Sequence, residues 1–309
     1  MKFQNFTKTL VIILTSTLIL SACSRQDQKL KLIFPKKVNY ESFIIAKHLG
    51  YFGENVEAIT VKSGINAAEA MTLGDADMAA MGDGPTVILL SKNKNTSIVT
   101  RYAKGERIHR LIAAHTIKSS SDLKGKKIGI QIGSSTHAAL YAWLANKHFT
   151  SDDVELVPMN PSNMPEAMKS KQLDAIAGSE PWGLNVEKLC KDEVHELANL
   201  SNPENHSPHI LVAKNKVLSS QIETVQKVVE ALKKANQFIK ENPDDAAKIA
   251  AKYIGLNFTD EAKCISRLDW TLGWDKSDKN SINNTARFFL KSKKINDIPD
   301  IENRLNLFY

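Results

Sequence analysis

Four short loops of the sequence carry side chains that could bind a small polar molecule. Each loop follows an apolar segment with the pattern of a β-strand: Asn39-Tyr40, Gly82-Asp83-Gly84, Gly133-Ser134-Ser135-Thr136 and Ser179-Glu180-Pro181-Trp182. Because ligands of open α/β sheets lie beyond the carboxyl ends of the strands, we expect the loops to meet at one site. The candidate ligand-binding residues are therefore Asn39, Tyr40, Asp83, Gly84, Ser134, Ser135, Thr136, Glu180 and Trp182.

The loop that begins at Gly133 has the chemistry of an anion site. Ser134, Ser135 and Thr136 supply three hydroxyl groups where a helix is predicted to begin. The first N–H groups of a helix lack intrahelical acceptors, and the positive end of the helix dipole adds to their attraction for an anion. The same hydroxyls could instead only cap the helix, a role worth about 1 kcal/mol.

Asp83 and Glu180 have the opposite preference. Two carboxylates that face one space would oppose a bare anion and favour a ligand with an amine. Asp83 could alternatively cap the helix predicted to start at Pro85, and Trp182 could line the site or pack in the core. These residues alone leave the charge of the ligand open.

Motifs of several other functional classes are absent from the sequence. The run from Gly133 to His137 lacks the Gly-x-Ser-x-Gly pattern of a nucleophile elbow. His206 and His209 could offer two metal ligands but have no evident third ligand nearby, so we expect neither a metal nor a cofactor. The net charge is +7, yet the basic residues form short scattered groups, so we expect no nucleic-acid partner.

Two of the four loops end a passage that occurs twice. Residues 66–85 and 163–182 share six identical residues at a fixed offset of 97, and Asp83 is matched by Glu180. Each copy has the pattern of a helix, a turn with an Asp, and a short strand. Two similar α/β units predict two lobes with a cleft between them.

The alternation of strands and helices predicts an α/β fold with mostly parallel sheets. We expect lobe 1 to contain residues 29–114 and 212–309, lobe 2 to contain residues 115–211, and the crossovers to lie near residues 114–120 and 206–212. A helix is expected to include Leu189, Val194 and Leu197. Whether Cys190 and Cys264 form a disulfide or remain buried thiols is open.

The first 22 residues have the pattern of a signal peptide. Their apolar stretch, Leu10–Leu20, is shorter than the roughly 20 residues that span a bilayer. It ends in Leu20-Ser21-Ala22-Cys23, which resembles the bacterial lipobox and implies cleavage before Cys23 and acylation of its thiol. Residues 23–28 would then be a tether, and we expect an exported, lipid-anchored protein that faces the periplasm or the cell exterior.

Five motifs in order along the chain resemble one known family. They are Ala46–Phe52, Ser63-Gly64 with Gly74–Asp77, Asp122–Gly129 with Gly133-Ser134, Asp174-Ala175 with Glu180-Pro181, and Phe238–Pro243. Together they resemble the periplasmic solute-binding proteins of ABC importers in the nitrate, sulfonate, taurine and thiamine-precursor group. The resemblance covers about residues 29–290, whereas residues 295–309 match nothing in it.

This resemblance implies the type II periplasmic-binding-protein fold, with two Rossmann-like lobes, two crossovers and a ligand cleft. It also implies a non-enzymatic role: a monomer captures a small solute by lobe closure and delivers it to an ABC permease of the inner membrane. The expected solute is a sulfonate- or nitrate-type anion or a pyrimidine of the thiamine-precursor type. An exported enzyme on the same scaffold and a ligand-sensing module are the alternatives.

Overall fold

The computed structural model of the chain describes residues 29–105, 107–201 and 206–309. The predicted signal peptide, the tether and Cys23 lie outside the described residues. The strands are β1 (Leu30–Pro35), β2 (Val56–Val61), β3 (Met78–Gly82), β4 (Thr96–Ala103), β5 (His109–Ala114), β6 (Lys127–Ile130), β7 (Glu155–Pro158), β8 (Ala175–Ser179), β9 (Val194–Asn199) and β10 (His209–Lys214).

Helices connect these strands and cover both sheets. The α-helices are α1 (Glu41–His48), α2 (Gly64–Leu73), α3 (Asp83–Lys92), α4 (Ser135–Asn146), α5 (Met164–Lys169), α6 (Trp182–Cys190), α7 (Asn215–Ser220), α8 (Ile222–Glu241), α9 (Pro243–Ile254), α10 (Phe258–Ile265) and α11 (Lys276–Lys291). Among the described residues, no helix combines the length and apolar character that a bilayer crossing requires.

The ten strands form two five-stranded sheets with the same topology. Their orders are β2-β1-β3-β10-β4 and β7-β6-β8-β5-β9. In each sheet the first three strands are parallel, and the fourth, β10 or β5, is antiparallel to both neighbours. The predicted two-lobed α/β fold is confirmed.

The sequence repeat coincides with equivalent strands at the centre of the two sheets. β3 begins at Met78 and β8 begins at Ala175, so the strands are related by the same offset of 97 as the repeat. Each central strand pairs with the strand that returns from the other lobe. The two lobes are therefore related by internal pseudo-symmetry.

The crossovers differ from those predicted. The chain leaves the first sheet after Ala103 and enters the second at His109, and it returns between Asn199 and His209. Placing 109–114 in lobe 1 and 209–211 in lobe 2 was therefore wrong. The prediction missed β4 because this strand is buried along its whole length and has no polar–apolar alternation.

The prediction of one helix across Leu189, Val194 and Leu197 was also wrong. α6 ends at Cys190, the next residue has a positive φ of 48°, and β9 then pairs with β5 at the edge of the second sheet. Cys190 lies in this lobe and Cys264 lies on α10 of the other, and both are free thiols.

Apolar clusters fill both faces of each sheet. Helices α1, α8 and α9 pack on one face of the first sheet, and α2, α3 and α11 pack on the other. The C-terminal segment extends this lobe: the Asn306 and Phe308 N–H groups donate to the carbonyls of Ile98 and Val99. The residues that matched no family motif therefore cover the edge strand β4, where exposed backbone groups would otherwise remain.

Candidate functional site

A narrow cleft lies between the lobes, at the carboxyl ends of β1, β3, β6 and β8. It encloses a cavity of about 60 Å³. The pseudo-symmetry brings equivalent parts of each lobe to this cleft, namely the central strand ends and helix N-termini. The predicted residues that line it are Asn39, Tyr40, Ser134, Ser135 and Thr136.

Asp83 does not line the cleft. Its carboxylate is fully buried, and Oδ2 accepts a hydrogen bond of 2.5 Å from the Thr285 hydroxyl on α11. Desolvation by burial raises the pKa of this carboxyl group, although hydrogen bonds from Ser135 and Thr285 oppose the shift. Asp83 therefore joins α3 to α11 within the molecule.

Glu180 is also buried outside the cleft. Its Oε1 accepts from Arg110 at 3.0 Å and from Arg267, and its Oε2 accepts from the Leu184 N–H at 3.2 Å. Arg110 belongs to lobe 2 and Arg267 to lobe 1, so the carboxylate joins the two lobes. The expectation that Asp83 and Glu180 face one another across the ligand space was wrong.

Gly84 and Trp182 do not line the cleft either. The Gly84 N–H donates to Ser135 Oγ at 3.1 Å, and a Cβ added at Gly84 would lie 2.7 Å from the Ser135 nitrogen. The N-terminus of α3 in lobe 1 thus touches that of α4 in lobe 2, backbone against backbone. Trp182 is half-buried at the start of α6.

Two helix N-termini point into the cleft, one from each lobe. Ser134 caps α4, since its Oγ accepts from the His137 N–H at 3.2 Å and donates to the Gln131 carbonyl at 2.7 Å. Ser63 caps α2, with its Oγ accepting from the Asn66 N–H at 3.3 Å. The capping role considered for Ser134 is thus present, and the first-turn N–H groups remain the natural anion donors.

Asn39 and Tyr40 form the wall on the side of β1. Asn39 is buried in a left-handed conformation with a φ of 77°, and its Oδ1 has no partner among the described residues. Tyr40 packs edge-on against His209, with ring centroids 5.9 Å apart. A Cβ added at Gly64 would approach the Tyr40 hydroxyl to 3.2 Å, so this glycine lets α2 begin beside the ring.

Lys37 also lines the cleft, although the sequence patterns had not indicated it. This residue follows β1, and its Nζ donates to the Ser179 Oγ at the end of β8, 3.2 Å away in the other lobe. Desolvation lowers the pKa of Lys37 to about 8, while Glu41 and Cys264 act in the opposite direction. The available signal was its position at a strand end, but Lys37 was counted only among the short, scattered groups of basic residues.

His109 and His209 were missed as well. They are the first residues of β5 and β10, where His109 is paired with Ser179 and His209 with Gly82. Gly82 and Ser179 are 97 positions apart, so the two histidines are equivalent under the pseudo-symmetry. Only the correct crossover positions would have revealed them.

Both histidines are neutral at physiological pH. Burial lowers the pKa of each to about 3, and the charge of Lys37 adds to the effect. His109 Nδ1 lies 2.8 Å from Thr136 Oγ1, and the Nδ1–H of His209 donates to the Ser207 carbonyl at 3.0 Å. His109 Nε2 has no partner among the described residues.

The electrostatics of the cleft favour an anion. Among the described lining residues, Lys37 carries the positive charge and none is Asp or Glu. Likewise, no group of three or more His, Cys, Asp or Glu side chains in the described ranges could hold a metal ion. Helix N-termini, hydroxyl groups and one lysine ammonium together suit a compact negatively charged group.

Two pseudo-symmetric α/β lobes around a polar cleft define a periplasmic-binding-protein fold. The family described as NMT1/THI5 like matches residues 37–246, and the chain belongs to this family. A "Putative binding protein" of Brucella abortus (strain 2308) is 29% identical over 232 residues, which cover 69% of this chain and 72% of that protein.

Two further proteins similar to this chain, one in sequence and one in fold, are named for the ligands that they bind. The taurine-binding periplasmic protein of Escherichia coli (strain K12) is 27% identical over 158 residues, 51% of this chain and 48% of that protein. The alkanesulfonate-binding protein SsuA from Xanthomonas axonopodis pv. citri, solved bound to MOPS, has a TM-score of 0.79 at 19% identity. That match covers 91% of this chain and 99% of SsuA.

Proposed function

We propose that this protein is the solute-binding component of an ABC importer and that its ligand is a small organic anion with a sulfonate head group. The observation that carries the proposal is the lining of the cleft, where two helix N-termini and Lys37 meet and none of the described lining residues is acidic. The names of the taurine- and alkanesulfonate-binding relatives agree with an anionic head group.

One feature disfavours the pyrimidine ligand. An amine-bearing ring would need the carboxylates of Asp83 and Glu180, which Thr285 and two arginines already engage. The lining of the cleft offers hydroxyl groups, N–H groups and one ammonium instead, which suit an anionic head group.

The contacts between the lobes suit a closed, ligand-holding form. On one side, Tyr141 of lobe 2 packs on Phe288 of lobe 1, with ring centroids 4.3 Å apart. On the other, Lys188 of lobe 2 pairs with Asp260 of lobe 1, and Val38, Leu184 and Cys264 form a small apolar cluster. Opening about the two crossovers would separate these contacts and admit the ligand.

A hydrolytic enzyme is the second candidate, because Thr136 Oγ1 lies within hydrogen-bond distance of His109 Nδ1. A histidine whose pKa is about 3 is a weak general base at neutral pH, however. We therefore retain binding without turnover as the function.

A thermal-shift screen of sulfonates, nitrate, sulfate and pyrimidines tests the function. We expect saturable stabilisation by a small sulfonate, with the ligand recovered unchanged as judged by NMR. Stabilisation by pyrimidines alone would contradict the anionic ligand, and conversion of the ligand would contradict the binding role.

The membrane anchor is a separate part of the proposal and depends on Cys23. Export followed by acylation of Cys23 would hold a monomer at the membrane surface beside its permease. Labelled fatty acid should enter the wild-type chain, and the label should be lost in Cys23→Ser. Retention of the label in that variant would contradict the anchor.

A further inference from the structure

Lys37 extends from lobe 1 to the far side of the cleft. Its Nζ donates to the hydroxyl of Ser179, the residue that ends the central strand of lobe 2. We propose that Lys37 is the residue by which the protein selects a negatively charged ligand, and that its ammonium must carry its proton when the anion is held. This inference rests on the proposed function and deepens it.

The backbone on both sides of Lys37 is held in the fold, and the bond to Ser179 directs its side chain across the cleft. The preceding strand β1 lies between β2 and β3 in the first sheet, and the next residue, Val38, is buried against Leu184 and Cys264. Lys36, by contrast, is exposed, and its ammonium lies 5.6 Å from the centre of the Tyr253 ring. Of these neighbouring lysines, Lys37 is the one that lines the cleft.

The groups around Lys37 leave its charge available to a ligand. Glu41 on α1 has the largest opposing effect on the Lys37 pKa, but burial raises the pKa of Glu41 and of its neighbour Glu261. The Cys264 thiol on α10 also has its pKa raised by burial. His109 and His209 face Lys37 from the crossover strands and are neutral.

This arrangement makes ligand affinity depend on pH in one direction. The pKa of Lys37 is about 8 in the desolvated cleft, and a bound anion would raise it further. The affinity for the anion is therefore independent of pH below the Lys37 pKa. Above it, binding requires the neutral Lys37 amine to take up a proton from solution, and affinity falls by up to about tenfold per pH unit.

Titration calorimetry of the full-length chain with ethanesulfonate, in buffers that contain no sulfonate, tests the inference. From pH 7 to pH 9.5 we expect affinity to fall by about 30-fold. At pH 8.5 the binding enthalpies in Tris and borate should differ by the amount that uptake of most of one proton requires. Lys37→Gln should bind about 10- to 100-fold more weakly at pH 7.

Lys37→Arg keeps the positive charge at this position but removes its titration near pH 8. It should bind the anion at pH 7 and lose the decline in affinity between pH 8 and 9.5, because arginine stays protonated. Lys36→Gln is the matched control and should keep both the affinity and the pH profile of the wild type.

The outcomes distinguish the inference from the function on which it rests. Tight wild-type binding without proton uptake, or unchanged affinity in Lys37→Gln, would overturn the role of Lys37 alone. If Lys37→Gln fails to fold, the wild-type pH profile and buffer dependence decide the question. Failure of the wild type to bind any sulfonate at pH 7 would overturn the proposed function and this inference with it.

Discussion

Glu180 is a buried carboxylate that joins two lobes instead of facing a ligand. It accepts from one arginine of each lobe and from the Leu184 N–H. Asp83, its counterpart in the repeat, is likewise directed at a neighbouring helix. At the residue scale, the repeat identified the positions of two buried acids but not the direction of their side chains.

Replacing Glu180 tests this structural role. Because a buried ion pair is broken, Glu180→Gln should lower the free energy of unfolding by about 3 kcal/mol. The variant should lower the affinities for ethanesulfonate and for taurine by the same factor, since the Glu180 carboxylate does not line the cleft. Chemical denaturation and calorimetry measure these effects, with the exposed Glu155→Gln as control. A loss of affinity for taurine alone would contradict this role and show that Glu180 binds an amine.

Asp83 should affect stability in a pH-dependent way. Burial raises the pKa of its carboxyl group in the folded chain. Its contribution to stability is therefore greatest below its unfolded pKa of about 4 and is lost as the pH rises through the folded value. Asp83→Asn should consequently stabilise the chain more at pH 7 than at pH 4, as measured by urea unfolding. An equal effect at both values would contradict the buried, desolvated carboxylate.

At the element scale, the helix N-termini form the cleft. α2 and α4 begin with capping serines, and the ends of α3 and α4 touch through Gly84 and Ser135. Dipoles and free N–H groups are thus available to an anion without any ionised side chain.

Gly84→Ala tests whether closure is required for binding. The added Cβ would lie 2.7 Å from the Ser135 nitrogen, so the closed form should be blocked. Alanine in α3 should leave the separate lobes as stable or about 0.5–1 kcal/mol more stable. We therefore expect at least about tenfold weaker binding without a lower melting temperature. Lys92→Ala, at the other end of α3, should bind normally; wild-type affinity in Gly84→Ala would contradict this closed form.

The elements that the sequence predicted best are those with a periodic pattern. The strand ends that carry Tyr40 and Ser134 reach the cleft because short apolar strands, glycines and capping residues identify such ends. β4 was missed because a strand buried on both faces lacks alternation, and without it residues 109–114 were assigned to the wrong lobe. His109 and His209 could not be assigned to the cleft without the correct strand pairing. Lys37, in contrast, follows β1, the strand whose end was already assigned to the cleft through Asn39 and Tyr40.

At the scale of the whole molecule, two copies of one α/β unit are joined by two returning strands. Each copy supplies one neutral histidine and one capped helix to the cleft. The charge pattern breaks this symmetry, because Lys37 comes from lobe 1 and donates to lobe 2. An anion held between the lobes would thus contact both of them and favour closure.

The accessibilities of Cys190 and Cys264, the two thiols of the described residues, can be used to follow lobe closure. Cys264 is buried between the lobes with Val38 and Leu184, whereas Cys190 is buried within lobe 2. Saturating ethanesulfonate should slow alkylation of Cys264 by about tenfold or more, because the closed form must open first. Cys190 is the internal control and should change little, as read by mass spectrometry of the labelled peptides. Equal protection of both thiols would indicate general stabilisation instead of lobe closure.

We expect the cleft to bind an anionic sulfonate through its charge. Calorimetry at pH 7 compares ethanesulfonate with ethyl methyl sulfone, an uncharged analogue of similar shape. The sulfonate should show saturable one-to-one binding, and the sulfone should bind more weakly by about 100-fold or more. Equal affinity for the two compounds, or binding of the sulfone alone, would contradict binding through charge.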